Sequence, residues 1–379
     1  MFRPFTFFRV LPLVLVSFLA GTGTALADED ADSVTKYDDG PHVYWTPDGQ
    51  AIVFYLCDGE FVQQRYPVAR NSSDTLTFAG ACEDSITRYV VPAKAPLIPP
   101  STYDNVTRVL AVSDLHGEYD AFRSILATGG VVDKEGHWNW GSGHLVINGD
   151  VFDRGEFVTE CLWLIYRLEQ EAQIAGGRVH YLLGNHELMV LRGDNRYIHK
   201  KYLKGICRKT RIDHQDLYGP DMELGRWLRT KPTMIRINDI LFVHAGVSPE
   251  VLAEYDDMGA INRLVRAGLD VSSPELTFGH PSNFLYRSSG PLWFRGFFGD
   301  EDYEPAGDND LTSVLNTFNA TAMVVGHTEW DSIQTWYDGR MISIDVPVKE
   351  LGGLQALEWR DGMFYRVHVD GSKTVIPRP

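Results

Sequence analysis

The chain is short of basic residues: 35 Lys and Arg stand against 51 Asp and Glu, for a formal net charge of −16. Clustered positive charge is what holds a phosphate backbone, so this deficit argues against nucleic acid as the main partner. Cysteine is scarce, four in 379 residues, and no two form a Cys-x-x-Cys pair, which argues against a structural zinc site. Past the N-terminus no apolar run approaches the roughly 20 residues of a membrane span. Internal repeats and low-complexity tracts are missing as well, which removes solenoid architectures. What is left is an acidic, globular chain.

Its first residues read as a targeting segment. Arg3 and Arg9 give a basic start, Val10–Ala20 is apolar but short, and Ala25-Leu26-Ala27 has the small-x-small form of a cleavage site. Cleavage after Ala27 leaves 352 residues beginning at Asp28, and loss of two arginines moves the charge to −18. An uncleaved membrane anchor is the other reading, against which the shortness of the apolar stretch counts. The expected destination is exported, periplasmic or secreted, and four cysteines there favour disulfides. Cys57 with Cys82 and Cys161 with Cys207 are the pairings closest in sequence, although four cysteines allow three connectivities. Asn71, Asn105 and Asn319 stand in glycosylation sequons, relevant only in a host that modifies exported chains.

Residues 28–102 are expected to form a small β-rich domain and linker. Val43-Tyr44-Trp45, Ala51–Leu56, Thr75–Phe78 and Ile86–Val91 are β-like runs punctuated by Gly49, Gly59 and Gly80, and Pro92–Pro100 reads as a stiff linker. Over 103–379, apolar runs alternate with helical patterns at Glu118–Thr128 and Phe157–Ala175, which indicates an α/β (α+β) core. After Met234 the pattern turns to hairpins, with Asn238-Asp239, Asp338-Gly339 and Asp361-Gly362 at the turns. A polar, helix-prone insertion at 188–231 is expected beside the mouth of any site at these strand ends, as a solvated excursion or a substrate-shaping lid.

Five short segments carry chemistry, each directly after an apolar run: Asp114-Leu115-His116-Gly117, Gly149-Asp150-Val151-Phe152-Asp153-Arg154-Gly155, Gly184-Asn185-His186-Glu187, His244-Ala245-Gly246 and Gly326-His327. The runs Val109–Val112, Leu145–Ile147, Val179–Leu183, Ile240–Val243 and Met323–Val325 read as buried strands, so the segments converge where strand ends meet loops. Asp114, His116, Asp150, Asn185, His244 and His327 are a mixed oxygen and nitrogen set suited to two divalent metals. Asp150 ends a strand, where a carboxylate can bridge two ions. His186 points away from its neighbour Asn185 and is read as a proton donor, with Asp153 available to hold its second nitrogen.

This combination resembles the metallophosphoesterases of phosphoprotein phosphatase type, whose motifs are GDxHG, GDxxDRG, GNHE, HGG and a late histidine. The resemblance runs from about Val109 to Val346, with 36 residues from Asp114 to Asp150 and 35 from there to Asn185. Leu-Arg-Thr-Lys-Pro at 228–232, the Leu241–His244 strand and Pro291-Leu292-Trp293-Phe294-Arg295 are similar to the bacterial-type Shewanella-like phosphatases. Ser113 and Ala245 stand where that family usually has Gly, and neither change removes a ligand. None of the C-terminal regulatory features of the eukaryotic enzymes is evident, so their regulatory partners are not carried over.

The resemblance implies a four-layer αββα sandwich and two divalent metal ions (Mn, Fe, Zn or Co). One ion would take Asp114, His116 and Asp150; the other Asp150, Asn185, His244 and His327. It also implies Arg154 and Arg295 on the phosphate oxygens and in-line attack by hydroxide on a phosphomonoester, with His186 protonating the leaving group. The expected substrate is a phosphorylated protein (Ser/Thr or Tyr) or a small phosphomonoester. A diadenosine tetraphosphate or nucleotide hydrolase is the alternative within the superfamily. A non-catalytic metal-binding sensor is the alternative outside enzymes. Trp293, Phe294, Phe297 and Phe298 read mainly as core, with an aromatic wall of the site as the other reading.

Overall fold

A run of four or five apolar residues with no polar alternation belongs between two covered layers, and that is where such runs sit in the computed structural model, which describes residues 37–80, 82, 87–271, 283–348 and 353–377. The expected leader at 1–27 and Ile86 at the head of one expected strand lie outside the described residues. The N-terminal strands are β1 (Asp39–Trp45), β2 (Ala51–Cys57) and β3 (Glu60–Tyr66), an antiparallel meander, followed by the hairpin β4 (Thr75–Ala79) and β5 (Arg88–Pro92). Next come β6 (Thr102–Tyr103), β7 (Arg108–Val112), β8 (His144–Ile147), β9 (Arg178–Tyr181), β10 (Met234–Ile237) and β11 (Ile240–Val243). The last strands are β12 (Ala322–Val325), β13 (Gln334–Trp336), β14 (Met341–Ser343), β15 (Gln355–Arg360), β16 (Met363–His368) and β17 (Lys373–Ile376).

Two six-stranded mixed sheets form from these, in the orders β17-β16-β15-β7-β8-β9 and β13-β14-β12-β11-β10-β6. Side chains alternate between faces along a strand, and the alternation here separates two cores. Val109 and Ala111 of β7, Val146 of β8, Ile240 and Phe242 of β11 and Val324 of β12 share one apolar cluster between the sheets. Leu110, Val112, Leu145, Ile147, Leu241, Val243, Met323 and Val325 point the other way, into the core under the helices. The result is the mixed αββα layering the resemblance implied.

Helix α1 (Tyr119–Thr128) connects β7 to β8, and α2 (Val158–Ile174) connects β8 to β9, so the three strands run parallel. Val158, Cys161, Leu162, Ile165, Leu168 and Ala172 repeat at helical spacing on one buried face of α2, and Thr159, Trp163, Leu164 and Tyr166 are buried as well. Helix α3 (Asn185–Leu191) starts immediately after the β9 segment. Because β7, β8, β9, β11 and β12 all end toward the same edge of the sandwich, the five chemistry-bearing segments meet there.

The insertion at 188–231 is not a solvated excursion. Tyr202, Ile206, Leu217, Tyr218, Leu224, Trp227 and Leu228 are buried, and the segment packs on the N-terminal strands. Tyr44 bridges Met222 in antiparallel fashion, Trp45 N–H donates to the Asp221 carbonyl (2.9 Å), and its indole donates to Glu223 Oε2 (2.6 Å). The N-terminal strands and the core lie in one compact unit. Lys231, inside the 228–232 run, is buried and ion-paired with Glu169 of α2 at 2.7 Å.

Of the two expected cysteine pairings the fold contains one: Cys57 at the end of β2 is bonded to Cys82. The Cys161–Cys207 pairing is absent; Cys161 is buried within α2, Cys207 is half-buried in the insertion, and both are free thiols. Burial pushes the Cys207 thiol up to about 12. Among the described residues no helix is long and apolar enough to cross a membrane.

Candidate metal centre

The backbone at the strand ends is bent in a way only a few residues tolerate. Asp114, His116, Asp150, Asp153, Arg154 and His327 all have φ between +44° and +69°. Each such non-glycine residue costs about 1–3 kcal/mol, and strain of that kind gathers at functional sites. Glycine is required where segments cross. A Cβ on Gly149 (φ +91°) would stand 2.5 Å from His244 Nδ1, and one on Gly184 would overlap the Asp150 carboxylate.

The bends bring together all six residues expected to hold metal, and all six are buried: Asp114, His116, Asp150, Asn185, His244 and His327. Ligand atoms of Asp150, His244 and His327 lie within 4.8 Å of one another, and so do those of His116, Asp150 and His186. Asp150 is common to both triads. Asp114 lies in neither: its Oδ2 accepts from the Ser113 hydroxyl (2.5 Å) and from the His327 N–H (3.1 Å). The second triad also contains the expected proton donor, His186. Its Nδ1 is 2.6 Å from Asp153 Oδ2, while Nε2 is 3.8 Å from Asp150 Oδ2.

Tautomers show why this cluster fits a cation. His116 Nδ1 lies 2.7 Å from the Phe152 carbonyl, and His244 Nδ1 lies 2.7 Å from the Asn148 carbonyl. A carbonyl only accepts, so each Nδ1 carries the proton, and in the neutral ring Nε2 presents a lone pair. His244 Nε2 then faces Asn185 Oδ1 at 3.0 Å and Asp150 Oδ2 at 3.3 Å. With that ring neutral, three acceptors converge on one point, which a divalent ion resolves when bound and a second ring proton resolves in its place. His327 Nε2 is also buried without a hydrogen-bond partner among the described residues.

The charge balance agrees. Burial pushes the Asp114 carboxyl up, and the nearby Asp150 charge adds to it. Asp345 is driven well up by burial and by Asp114 and Asp150. Burial alone would raise Asp150 too, but His244, His186 and His116 around it hold it well below the usual range. His244 is raised to about 10: burial opposes its charge, and Asp150 and Asp114 overcome that. His186 is also raised, its burial outweighed by Asp150 and by the bond to Asp153. A buried cluster rich in carboxylates is completed by positive charge.

Glu187 does work that the motif reading left unassigned. It is fully buried, and its carboxylate accepts from the N–H of Asp150 (2.9 Å), Val151 (2.8 Å) and Gly184 (2.6 Å), and from the Tyr181 hydroxyl (2.9 Å). It thereby welds the Gly149–Phe152 turn to the start of α3. A Glu three residues after a helix-entry glycine is a capping signal, and it was available in the sequence.

The arginines occupy different settings. Arg154 is exposed beside the cluster, its backbone N–H donating to the Tyr197 carbonyl (2.8 Å). Arg295 donates from Nη2 to the carbonyl of His327 (2.9 Å), and its buried Nε has no partner among the described residues. Phe294 and Phe297 are core residues, whereas Trp293 and Phe298 are half-buried and the Trp293 ring lies 5.9 Å from that of His327.

A family model described as calcineurin-like phosphoesterase matches residues 107–329. The chain is 27% identical over 237 residues to Shewanella-like protein phosphatase 1 of Plasmodium berghei, covering 61% of this chain and 65% of that protein. It is 35% identical over 113 residues to Shewanella-like protein phosphatase 2 of Arabidopsis thaliana, covering 30% of this chain and 29% of that one. The chain thus spans less than two thirds of the length of either curated relative. The crystal structure of a cold-active protein-tyrosine phosphatase of a psychrophilic Shewanella sp. superposes with a TM-score of 0.80 at 34% identity, covering 90% of this chain and 99% of that chain.

Proposed function

The chain belongs to the calcineurin-like phosphoesterase family, and from that membership we propose that it is a metal-dependent phosphomonoesterase acting on phosphoproteins. The observation that carries this reading is Asp150, shared by two ligand triads at the joint edge of both sheets. Asp114, His116 and Asp150 would hold one divalent ion, and Asp150, Asn185, His244 and His327 a second; the donor set accepts Mn, Fe, Zn or Co. Such a pair, when bound, would supply the charge that acidifies a water and screens the phosphoryl oxygens.

The chain's own groups supply the rest. Arg154 and the unpartnered Nε of Arg295 bind the non-bridging oxygens of the ester, whose fork geometry a guanidinium matches. They set the phosphorus for in-line displacement: the bond to the oxygen of a water that has lost its proton to solvent forms as the bond to the leaving oxygen breaks. His186 donates its Nε2 proton to that oxygen while Asp153 keeps Nδ1 protonated and the ring oriented. Substrate class is supported by likeness to proteins called protein phosphatases. The Cys57–Cys82 disulfide supports an oxidising, exported location.

The test is hydrolysis of para-nitrophenyl phosphate by metal-stripped protein, with Mn, Zn, Fe, Co or Mg returned singly. Restored turnover is expected, followed by a comparison of phosphotyrosine, phosphoserine and dinucleotide substrates. Silence with every metal despite bound ions would overturn the monoesterase reading and favour a pyrophosphate substrate or a non-catalytic sensor. A dinucleotide preference would instead favour the nucleotide hydrolase.

A further inference from the structure

One aromatic side chain at the mouth has no structural work that accounts for its exposure. Tyr197 follows α3 in the insertion, and its ring centre lies 5.3 Å from that of His186, tilted by 57°. It remains 48% exposed, although it adjoins a buried polar cluster. Its carbonyl receives the Arg154 N–H at 2.8 Å, so the same residue abuts both the proton donor and the phosphate-binding arginine. The ring is held by its own loop: Arg196, paired with Asp194 at 2.7 Å, lies 5.6 Å from the ring centre.

Where the leaving group goes follows from these contacts. The leaving oxygen must come within hydrogen-bond reach of His186 Nε2, which brings the group attached to it toward the Tyr197 ring packed against that imidazole. A seryl leaving group offers one methylene at that point. An aryl group offers a second ring, and two rings gain from offset or edge contact beyond the area they bury. We propose that Tyr197 forms the leaving-group wall and makes the site prefer aryl over alkyl phosphate monoesters. The inference rests on the phosphatase reading above and adds a specificity-determining residue to it.

The test uses the metal-loaded full chain and the variants Tyr197→Ala, Tyr197→Leu and Tyr197→Phe. All three keep the backbone carbonyl, so the anchor on Arg154 persists. Titration calorimetry with phenylphosphonate and methylphosphonate reads binding without turnover. The wild type should prefer phenylphosphonate, and Ala or Leu should lower that preference about two- to ten-fold, the size of one aromatic contact; Phe should retain it. With matched phosphotyrosine and phosphoserine peptides, the loss in kcat/KM should fall on phosphotyrosine and mainly in KM.

If Tyr197 served only to orient His186, the loss would fall hardest on phosphoserine, because an alkoxide needs the proton more than a phenoxide does. That outcome overturns the proposal, as do equal losses on both peptides or equal binding of the two phosphonates by the wild type. Failure of the phosphatase reading looks different: phosphonates bind with the predicted preference, but no monoester is hydrolysed.

Discussion

Replacing Glu187 by Gln alters one atom of a fully buried side chain, yet the hydrogen bonds around it predict a large effect. Oε2 accepts from the N–H of Asp150 and Gly184, and Oε1 from the N–H of Val151 and the Tyr181 hydroxyl. An amide placed either way turns its NH2 toward two of these groups. At least one backbone donor then loses its acceptor and faces another donor. Two buried groups left unmatched cost about 1–3 kcal/mol each, or about 2–6 kcal/mol together. Against a typical stability of about 5–15 kcal/mol, that is a large share.

Urea unfolding of metal-free protein, followed by circular dichroism, measures the loss, and an unchanged slope shows that the same surface is exposed. The turn that Glu187 anchors carries Asp150, so metal affinity or turnover should also fall, by about 10–100-fold, as for other groups that orient a ligand. A stability loss below about 1 kcal/mol would refute the argument, because the four donors would have to be satisfied without a carboxylate.

The roles of ligand and acid separate in two further variants. Asp150→Asn removes the charge common to both triads and should abolish activity together with both metals, whereas His186→Asn should keep the metals and lose about 10²–10⁴ in turnover, most for poor leaving groups; equal metal loss by elemental analysis would refute the division. At the far end of β8, His144 is buried against His180 (3.0 Å), and burial together with Arg178 lowers it to about 4. Its folded value lies below the unfolded 6.5, so the unfolded chain takes up the proton first and stability falls as pH drops from about 6.5 to 4. The loss amounts to about 3 kcal/mol. His144→Gln should flatten that dependence in pH-stepped urea unfolding, with His180 leaving a residual slope; an unchanged slope would refute the assignment.

The segments that meet at the strand ends were legible because each is local. An apolar run, a glycine and a ligand at fixed spacing describe a strand, its turn and the side chain beyond it, and the five expected strands fall at β7, β8, β9, β11 and β12. The helices α1 and α2 and the hairpin turns after β10, β13 and β15 were readable for the same reason. Glu187 was overlooked because its acceptors' partners lie up to 37 residues away, although its position after Gly184 carries a capping signal. Lys231 looked like part of a motif and is a buried partner of Glu169.

By itself, the sequence determined which chemistry is present: the donor types, the strand ends that carry them and the α/β alternation that aligns those ends. Tertiary structure decided what distant segments do to one another. It bonded Cys57 to Cys82 and left Cys161 and Cys207 free. It buried the 188–231 insertion against the N-terminal strands and set Tyr197 beside His186. The physical reason is range: propensity, spacing and turn chemistry act over a few residues, whereas burial and long-range pairing depend on which surfaces the closed chain brings together.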